Sequence, residues 1–444
     1  MRKMKFSGDK WIGNIPNDWN VTRIGYESWI RARLGWKGLK AEEYVDEGYA
    51  FLSAFNIVDD KLQWENLNFI NQQRYDESPE IKLKKGDILL VKDGAGIGKC
   101  GRVDSLPKGA ATTNGSLAVI SSFSKLSYRY LYFYLISPIF QNYIYRLMNG
   151  MGVPHLSQEE LRKIQIPFPP LAEQKKIADF LDEKCGEIDS IKADVQRQIE
   201  LLNDYKKSVI TEAVTKGLNP KAKLKDSGIE WIGRIPEYWE VKKTKYCFEF
   251  GKGLPITKEN LEDSGISVIS YGQIHSKQNN GTSVNSSLIR FVNESYLRTN
   301  PLSLVHKNDF IFADTSEDLD GCGNCVYIDT KEPIFAGYHT IIFRSKQPDA
   351  KYFAYLFLTD CWRSQIRKVA SGVKLFSITQ KILKETSVVI PPLSEQKEIA
   401  NYLDDKCTEI DAVIADKQKQ LETLDEYKKS LIFEYVTGKK EIVQ

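Results

Sequence analysis

Residues Pro169–Thr215, "PPLAEQKKIADFLDEKCGEIDSIKADVQRQIELLNDYKKSVITEAVT", and Pro391–Thr437, "PPLSEQKEIANYLDDKCTEIDAVIADKQKQLETLDEYKKSLIFEYVT", align without a gap and agree at 29 of 47 positions. A repeat this close constrains the chain more than any local pattern, because both copies must adopt the same structure. At 444 residues the chain is long enough for two cores. A second pair of marks, "WIGNIPNDWNV" at Trp11 and "WIGRIPEYWEV" at Trp231, opens each copy. Between the marks agreement thins to positions such as Asp87 and Asp309, or "NGMGVPHLS" at Asn149 and "SGVKLFSIT" at Ser371. The chain is a tandem duplication whose scaffold parts stayed alike while its globular parts diverged. Its expected divisions are a first globular domain (1–168), a long helix (169–218), a second globular domain (219–390) and a C-terminal long helix (391–444).

Between Leu171 and Lys216 there is no proline, and Gly186 is the only glycine. Leu181, Ile188, Val195, Leu202 and Val209 recur every seven residues, with Ile177, Ile191 and Tyr205 on the adjoining row. The second copy repeats this with Leu403, Ile410, Leu424 and Leu431 beside Ile399, Val413 and Tyr427, while Lys417 stands where Val195 stood. Such a stripe cannot be left in water, and its natural partner is the other copy. The spacing predicts a coiled coil of two helices, each about 68 Å long at 1.5 Å per residue. The prolines open each helix, with Glu173 and Glu395 near its positive end. Each globular part mixes short β-rich runs ("DILLVK", "SLAVI", "DFIFA", "HTIIF") with one aromatic-rich helix, which makes it a mixed α/β domain.

The stretch "DILLVKDGAGIGKCGRV" from Asp87 imitates a phosphate-binding loop. A Walker loop would need glycine at Asp93 and a hydroxyl at Cys100. Gly96, Gly98 and Gly101 do spell a dinucleotide fingerprint, but strand and turn signals follow where a helix should open. The second copy, "KNDFIFADTSEDLDGCGNCVYI", replaces most of the glycines, which a shared phosphate cradle would not survive. "CGNC" at Cys322–Cys325 is a single pair without further zinc ligands, and the four histidines have no matched partners. Methyltransferase and nuclease motifs are absent, so the chain reads as non-enzymatic. Net charge is only +3, with 62 basic residues against 59 acidic, so any polyanion surface must come from local segregation of charge. Seven scattered cysteines and no export signal or membrane-length apolar run point to a cytoplasmic protein.

The "WIGxIPxxW" entry, "PPLxEQ" followed by "IAxxLDxK", and the closing "YKKSxIxExVT" resemble the specificity subunit of type I restriction-modification enzymes, over essentially the whole chain. The resemblance implies two target recognition domains, each binding half of a split site in double-stranded DNA, and an antiparallel coiled coil that spaces them. It implies docking of two methyltransferase subunits and then of restriction subunits. S-adenosylmethionine, ATP and magnesium would reside on those partners, and the flipped adenine would be methylated there. Two different domains imply two unrelated half-sites, separated by no more than about two turns of duplex. A stand-alone bipartite DNA-binding protein, or a coiled-coil adaptor without enzyme partners, is the alternative.

Base edges call for Arg, Lys, Asn, Gln and short hydroxyls, and phosphates for cations and backbone amides on loops. The first-domain candidates are Arg31, Arg33, Trp36 and Lys37 in "RARLGWKGLK", then Ser53 and Asn56. Lys92, Asp93 and Lys99 follow in the glycine loop, and Thr112, Thr113 and Asn114 in "ATTNG". In the second domain they are Lys252, Lys258, Ser270, Tyr271, Gln273 and His275, then Asp314, Thr315, Ser316, Tyr338, His339 and Lys374.

Overall fold

The computed structural model describes residues 2–33, 39–148, 155–372 and 375–442. Contacts divide the chain into two compact units, Met1–Gln196 with Gln418–Gln444, and Arg197–Lys417. The division cuts through both long helices, Leu171–Lys216 and Leu393–Val436, so each unit holds half of each.

In the first unit, strands Cys100–Arg102, Asp87–Val91, Leu117–Ser122 and Ser28–Arg31 form an antiparallel sheet in that order. A second sheet runs Ala111–Thr113, Tyr49–Leu52, Asn68–Ile70, Tyr44–Val45, its first pair parallel. The second unit repeats the first sheet with Phe248–Lys252, Ile341's strand Thr340–Ser345, Phe310–Ala313 and Cys325–Tyr327. It also keeps the parallel pair, Ile266–Ile269 with Ile334–Ala336. The sheets differ at their edges: Leu304–Val305 joins beside Ile334–Ala336, whereas Tyr44–Val45 joins on the opposite side, beside Asn68–Ile70.

The aromatic segments form two helices in each unit where the sequence suggests one. Tyr128–Ile136 stops at Ser137, because Pro138 can start a helix but cannot continue one, and Pro138–Met148 follows. Lys351–Leu358 stops likewise at Thr359, whose side chain caps the amide of Trp362 in Asp360–Arg367.

The repeated motifs meet in space. Trp19 and Trp239 are fully buried, and each indole N–H donates to a helix-opening glutamate, Glu173 or Glu395, at 3.0 Å. Gln174 and Gln396 fold back to donate to the carbonyls of Pro169 and Pro391 at 2.9 and 2.8 Å. "WIGxIPxxW" and "PPLxEQ" are therefore two sides of one joint, which explains why both survived divergence.

The two long helices pack antiparallel. In the first unit Asp189 pairs with Lys428 at 2.6 Å and Lys192 with Asp425; in the second, Lys206 pairs with Asp411 at 2.6 Å and Lys417 with Gln198. The packing corrects the seven-residue seam. Leu181, Ile188 and Val195 are buried, but Leu202 and Val209 are only half-buried, and Ile191, Tyr205, Val413 and Tyr427 are about half exposed. A helix of 3.6 residues per turn drifts about 20° per heptad, so a seven-residue row walks out of the interface. The row that stays buried repeats every eleven residues: Ile177, Ile188, Ile199 and Ile210. Its counterpart is Ile399, Ile410, half-buried Leu421 and Ile432, and Leu403, Ile414 and Val436 are buried alongside. Leu424 is half-buried and Leu431 buried.

Candidate nucleic-acid interface

Where the paired strands end, three loops come together in each unit. In the first, Ala111–Thr113 runs parallel to Tyr49–Leu52, so their following loops emerge side by side, joined by Asn114 N–H to the Leu52 carbonyl at 3.0 Å. The amide of Lys92, just past Asp87–Val91, donates to the Ser116 carbonyl at 2.9 Å, which adds the third loop. Leu156 N–H closes the cluster on the Lys92 carbonyl at 2.8 Å. The second unit repeats each link: Gly337 to Ile269 at 2.8 Å, Asp314 to His339 at 3.1 Å and Ile378 to Asp314 at 2.7 Å. This backbone frame holds loops 53–56, 92–99 and 114–116 in one unit and 270–275, 314–316 and 337–339 in the other.

The glycine loop is a hairpin turn. Its strands pair antiparallel, Leu90 opposite Cys100, and the amides of Ile97, Gly98 and Lys99 bond to carbonyls inside the loop. No phosphate cradle remains. Gly98 has φ +88°, and a Cβ there would meet Ile144 at 2.9 Å, so both backbone freedom and close packing require glycine.

Several candidate polar groups are engaged inside the protein. Arg31 is buried and pairs with Asp87 at 2.9 Å; Ser121 also bonds this carboxylate. Thr112 and Thr113 are buried, their hydroxyls donating to Ile81 and Leu52 carbonyls at 3.2 and 3.1 Å. Asn56 is buried and accepts from the Ser53 amide at 2.9 Å, and Gln273 accepts from the Ser270 amide at 3.1 Å, so these pairs build turns. The Asn114 side-chain oxygen accepts from the Ser116 hydroxyl at 2.7 Å. Ser316 is buried and donates to the Asp318 carbonyl at 2.7 Å.

Other candidates face the cluster or lie away from it. Lys92 reaches Asp93 at 2.6 Å, and His155 bonds the same carboxylate. Burial raises the Asp93 carboxyl, but those two hydrogen bonds outweigh it and hold it below its usual value. In the second unit Tyr271 meets Tyr338 edge-on at 5.7 Å and His339 at 5.5 Å, and His339 bonds Asp314 at 3.2 Å. His275 anchors this group from behind through the Thr315 carbonyl at 2.8 Å and Asn324 at 3.1 Å. Arg33 follows its strand at the loop end of the sheet, half-buried. Lys252 ends the edge strand and Lys258 sits in the turn Lys258–Asn260, both exposed. Lys99 points away: it lines a groove of about 810 Å³ with Asp60 and, from the long helices, Asp189, Lys192 and Lys428. Trp36, Lys37 and Lys374 lie outside the described residues. The residue overlooked by sequence reasoning is Phe55, 93% exposed at the apex of the 53–56 loop. Its only signal was an apolar side chain inside a capped turn.

Cys322 and Cys325 are free and buried; burial pushes the Cys325 thiol up to about 12. Among the described residues no cluster of three or more His, Cys, Asp or Glu could hold a metal, and no helix is long and apolar enough to cross a membrane.

Duplicated α/β units, each closed by halves of two paired helices and each presenting loops of different sequence from one frame, define the class: an internally duplicated α/β scaffold protein. The model of the type I restriction modification DNA specificity domain matches residues 38–201 and 236–423. The chain belongs to this family: it is the DNA specificity subunit of a type I restriction-modification complex, a non-catalytic component. It is 26% identical to the type I restriction enzyme MjaVIII specificity subunit of Methanocaldococcus jannaschii, over 96% of this chain and 93% of that one. It is 24% identical to the EcoKI specificity subunit of Escherichia coli K12, over 88% and 82%. Among solved structures, a chain from work on assembly and conformational transition of the type I R-M system superposes with TM-score 0.71 at 13% identity, over 96% and 99%. The HsdS subunit of Thermoanaerobacter tengcongensis gives 0.50 at 13%, over 96% and 98%.

Proposed function

We propose that residues 1–168 and 219–390 are two target recognition domains, each reading one half of an asymmetric, bipartite site in double-stranded DNA through its three-loop cluster. The observation that carries this reading is the matched frame with largely unmatched side chains: the same backbone links hold both clusters, and Ser53 and Ser270 agree, while Lys92, Asn114 and Ser116 in one give way to Asp314, Gly337 and His339 in the other. A frame maintained under diverging loops is what two readers of different words require. Within the clusters Arg33, Lys92, Asp93, Asn114, Tyr271, Asp314, Thr315, Tyr338 and His339 are the proposed contacts, with Lys252 and Lys258 on adjoining strands and turns. Trp36, Lys37 and Lys374 extend the proposal beyond the described residues.

The long helices dock the partners in this reading. Ile191 and Tyr427 lie at the same level in the first unit, judged by the pairings of Asp189 with Lys428 and Lys192 with Asp425; Tyr205 and Val413 do so in the second, by Lys206 with Asp411. Each unit thus shows one pair of exposed apolar side chains at the same level of its two helix halves, and Leu201, Leu393 and Tyr402 are exposed besides in the second. Two methyltransferase subunits, one per pair, would cover them, and restriction subunits would join that assembly. S-adenosylmethionine, ATP and magnesium belong to those subunits.

The test exchanges residues 22–148 for those of a relative in the assembled complex and maps methylated positions. One half of the recognised site should change. A change in both halves, or in neither, refutes the reading.

A further inference from the structure

The two clusters offer different chemistry at equivalent positions, and strand registers define the equivalence. Leu52 pairs with Thr113, and Ile269 with Ala336. Counting outward, Phe55 corresponds to Gly272, and Gly115 to Tyr338. At these two positions aromatic and glycine are exchanged between the loops, and the second unit adds Tyr271 where the first has Ala54. In the second unit Tyr338 packs on Tyr271 and His339, whereas Phe55 is 93% exposed.

What surrounds Phe55 narrows its role. The capping pair Ser53 and Asn56 holds the turn through the Ser53 amide and hydroxyl, both donating to Asn56 Oδ1 at 2.9 and 3.2 Å. Both of the loop's polar side chains are therefore occupied with the turn, and the side chain it presents outward is an aromatic ring on a braced support. Water gives a phenyl ring no favourable partner, whereas a thymine methyl or the apolar part of a base edge does. We propose that Phe55 makes an apolar base contact that sets the preference at one position of the half-site read by the first unit, and that the Tyr271–Tyr338–His339 group occupies the corresponding place in the second. This rests on the two-reader function above.

The experiment uses the full chain assembled with its methyltransferase. Methylome mapping of the wild-type complex gives the bipartite site, and the exchange of residues 22–148 assigns its halves. Failure at this stage, with no bipartite site or no assignable half, removes the two-reader function and this inference with it. Given an assigned half, Phe55→Ala should lower methylation at least tenfold or lose base preference at one position of that half, with the other half unchanged. Phe55→Leu should retain more of the preference than Phe55→Ala. Tyr338→Gly should alter only the other half. Rates and sites within twofold of wild type for Phe55→Ala, or a change confined to the second unit's half, would overturn the inference while leaving the two-reader function standing. Because the ring is exposed, the thermal melt of each Phe55 variant should match wild type; a lowered melt would show a packing role and also overturn it.

Discussion

Tyr130 donates its hydroxyl to the carbonyl of Val436 at 2.9 Å, across 306 residues of chain, and also lies 3.1 Å from the carbonyl of Pro167. Tyr352 repeats the contact with Val214 at 2.8 Å and Val389 at 3.2 Å. Each buried tyrosine ties its own copy's globular part to the end of the other copy's helix. Duplication has therefore produced interdependence: the first unit is complete only once residues near 436 are in place.

Tyr130→Phe and Tyr352→Phe leave buried helix-end carbonyls without this donor. Each should cost about 1–3 kcal/mol, read as a lower urea midpoint with unchanged slope.

Asp87 and Asp309 satisfy the same turn, accepting from the amides of Lys84 and His306 at 2.8 and 2.9 Å, but take arginine from different strands. Arg31 serves Asp87 from Ser28–Arg31, and Arg344 serves Asp309 from directly opposite, at 3.1 Å. By register, Arg31 corresponds to Gly251 and Ser121 to Arg344. Arg31→Gly should destabilise the first unit by about 3–5 kcal/mol by orphaning a buried carboxylate. Adding Ser121→Arg should recover more than half of that loss in chemical denaturation, since it recreates the second unit's arrangement.

The eleven-residue seam separates folding from assembly. Ile199→Asp places a charge in the packed row and should lower the melting temperature of the chain markedly. Ile191→Glu and Tyr427→Glu lie on the exposed pair and should change stability by no more than about 0.5 kcal/mol. In the proposed complex they should abolish co-elution with the methyltransferase in size-exclusion chromatography.

Asp189 supplies a pH dependence. Burial raises its carboxyl, but hydrogen bonds from Lys428 and Lys61, both at 2.6 Å, prevail and hold it below the usual carboxylate value. A lowered folded value means the stabilisation is complete above the unfolded value of about 4 and is lost as pH falls through the folded one. Asp309 acts in the opposite sense: burial raises it despite the His306 amide and Arg344, so its ionisation opposes folding and acid relieves that. Asp189→Asn should therefore flatten the loss of thermal stability below pH 4, measured by calorimetry, whereas Asp309→Asn should not.

Repeats, long helices and mixed α/β class were legible because they rest on periodicity and composition, which every stretch of chain carries locally. Trp19 and Glu173 could be read as marks but not as partners, since 154 residues separate two groups whose hydrogen bond exists only in the folded joint. The seam was legible as a stripe but misread as a heptad. Over two turns, seven and eleven residues differ too little to tell apart, and only burial along the whole helix separates them. Arg31, Thr112 and Thr113 have side chains suited to DNA, yet their partners Asp87, Ile81 and Leu52, distant in sequence, hold them inside.

Phe55 shows the same division from the other direction. Chain order alone settled that there are two copies, each opened by its own "WIGxIPxxW" mark, because that follows from neighbours along the backbone. That residues 53–56 form a turn, and which of them meets solvent, was settled by folding: the capping of Ser53 by Asn56 and the parallel pairing of Leu52 with Thr113 orient the loop, and side-chain direction depends on strands that lie far apart in sequence.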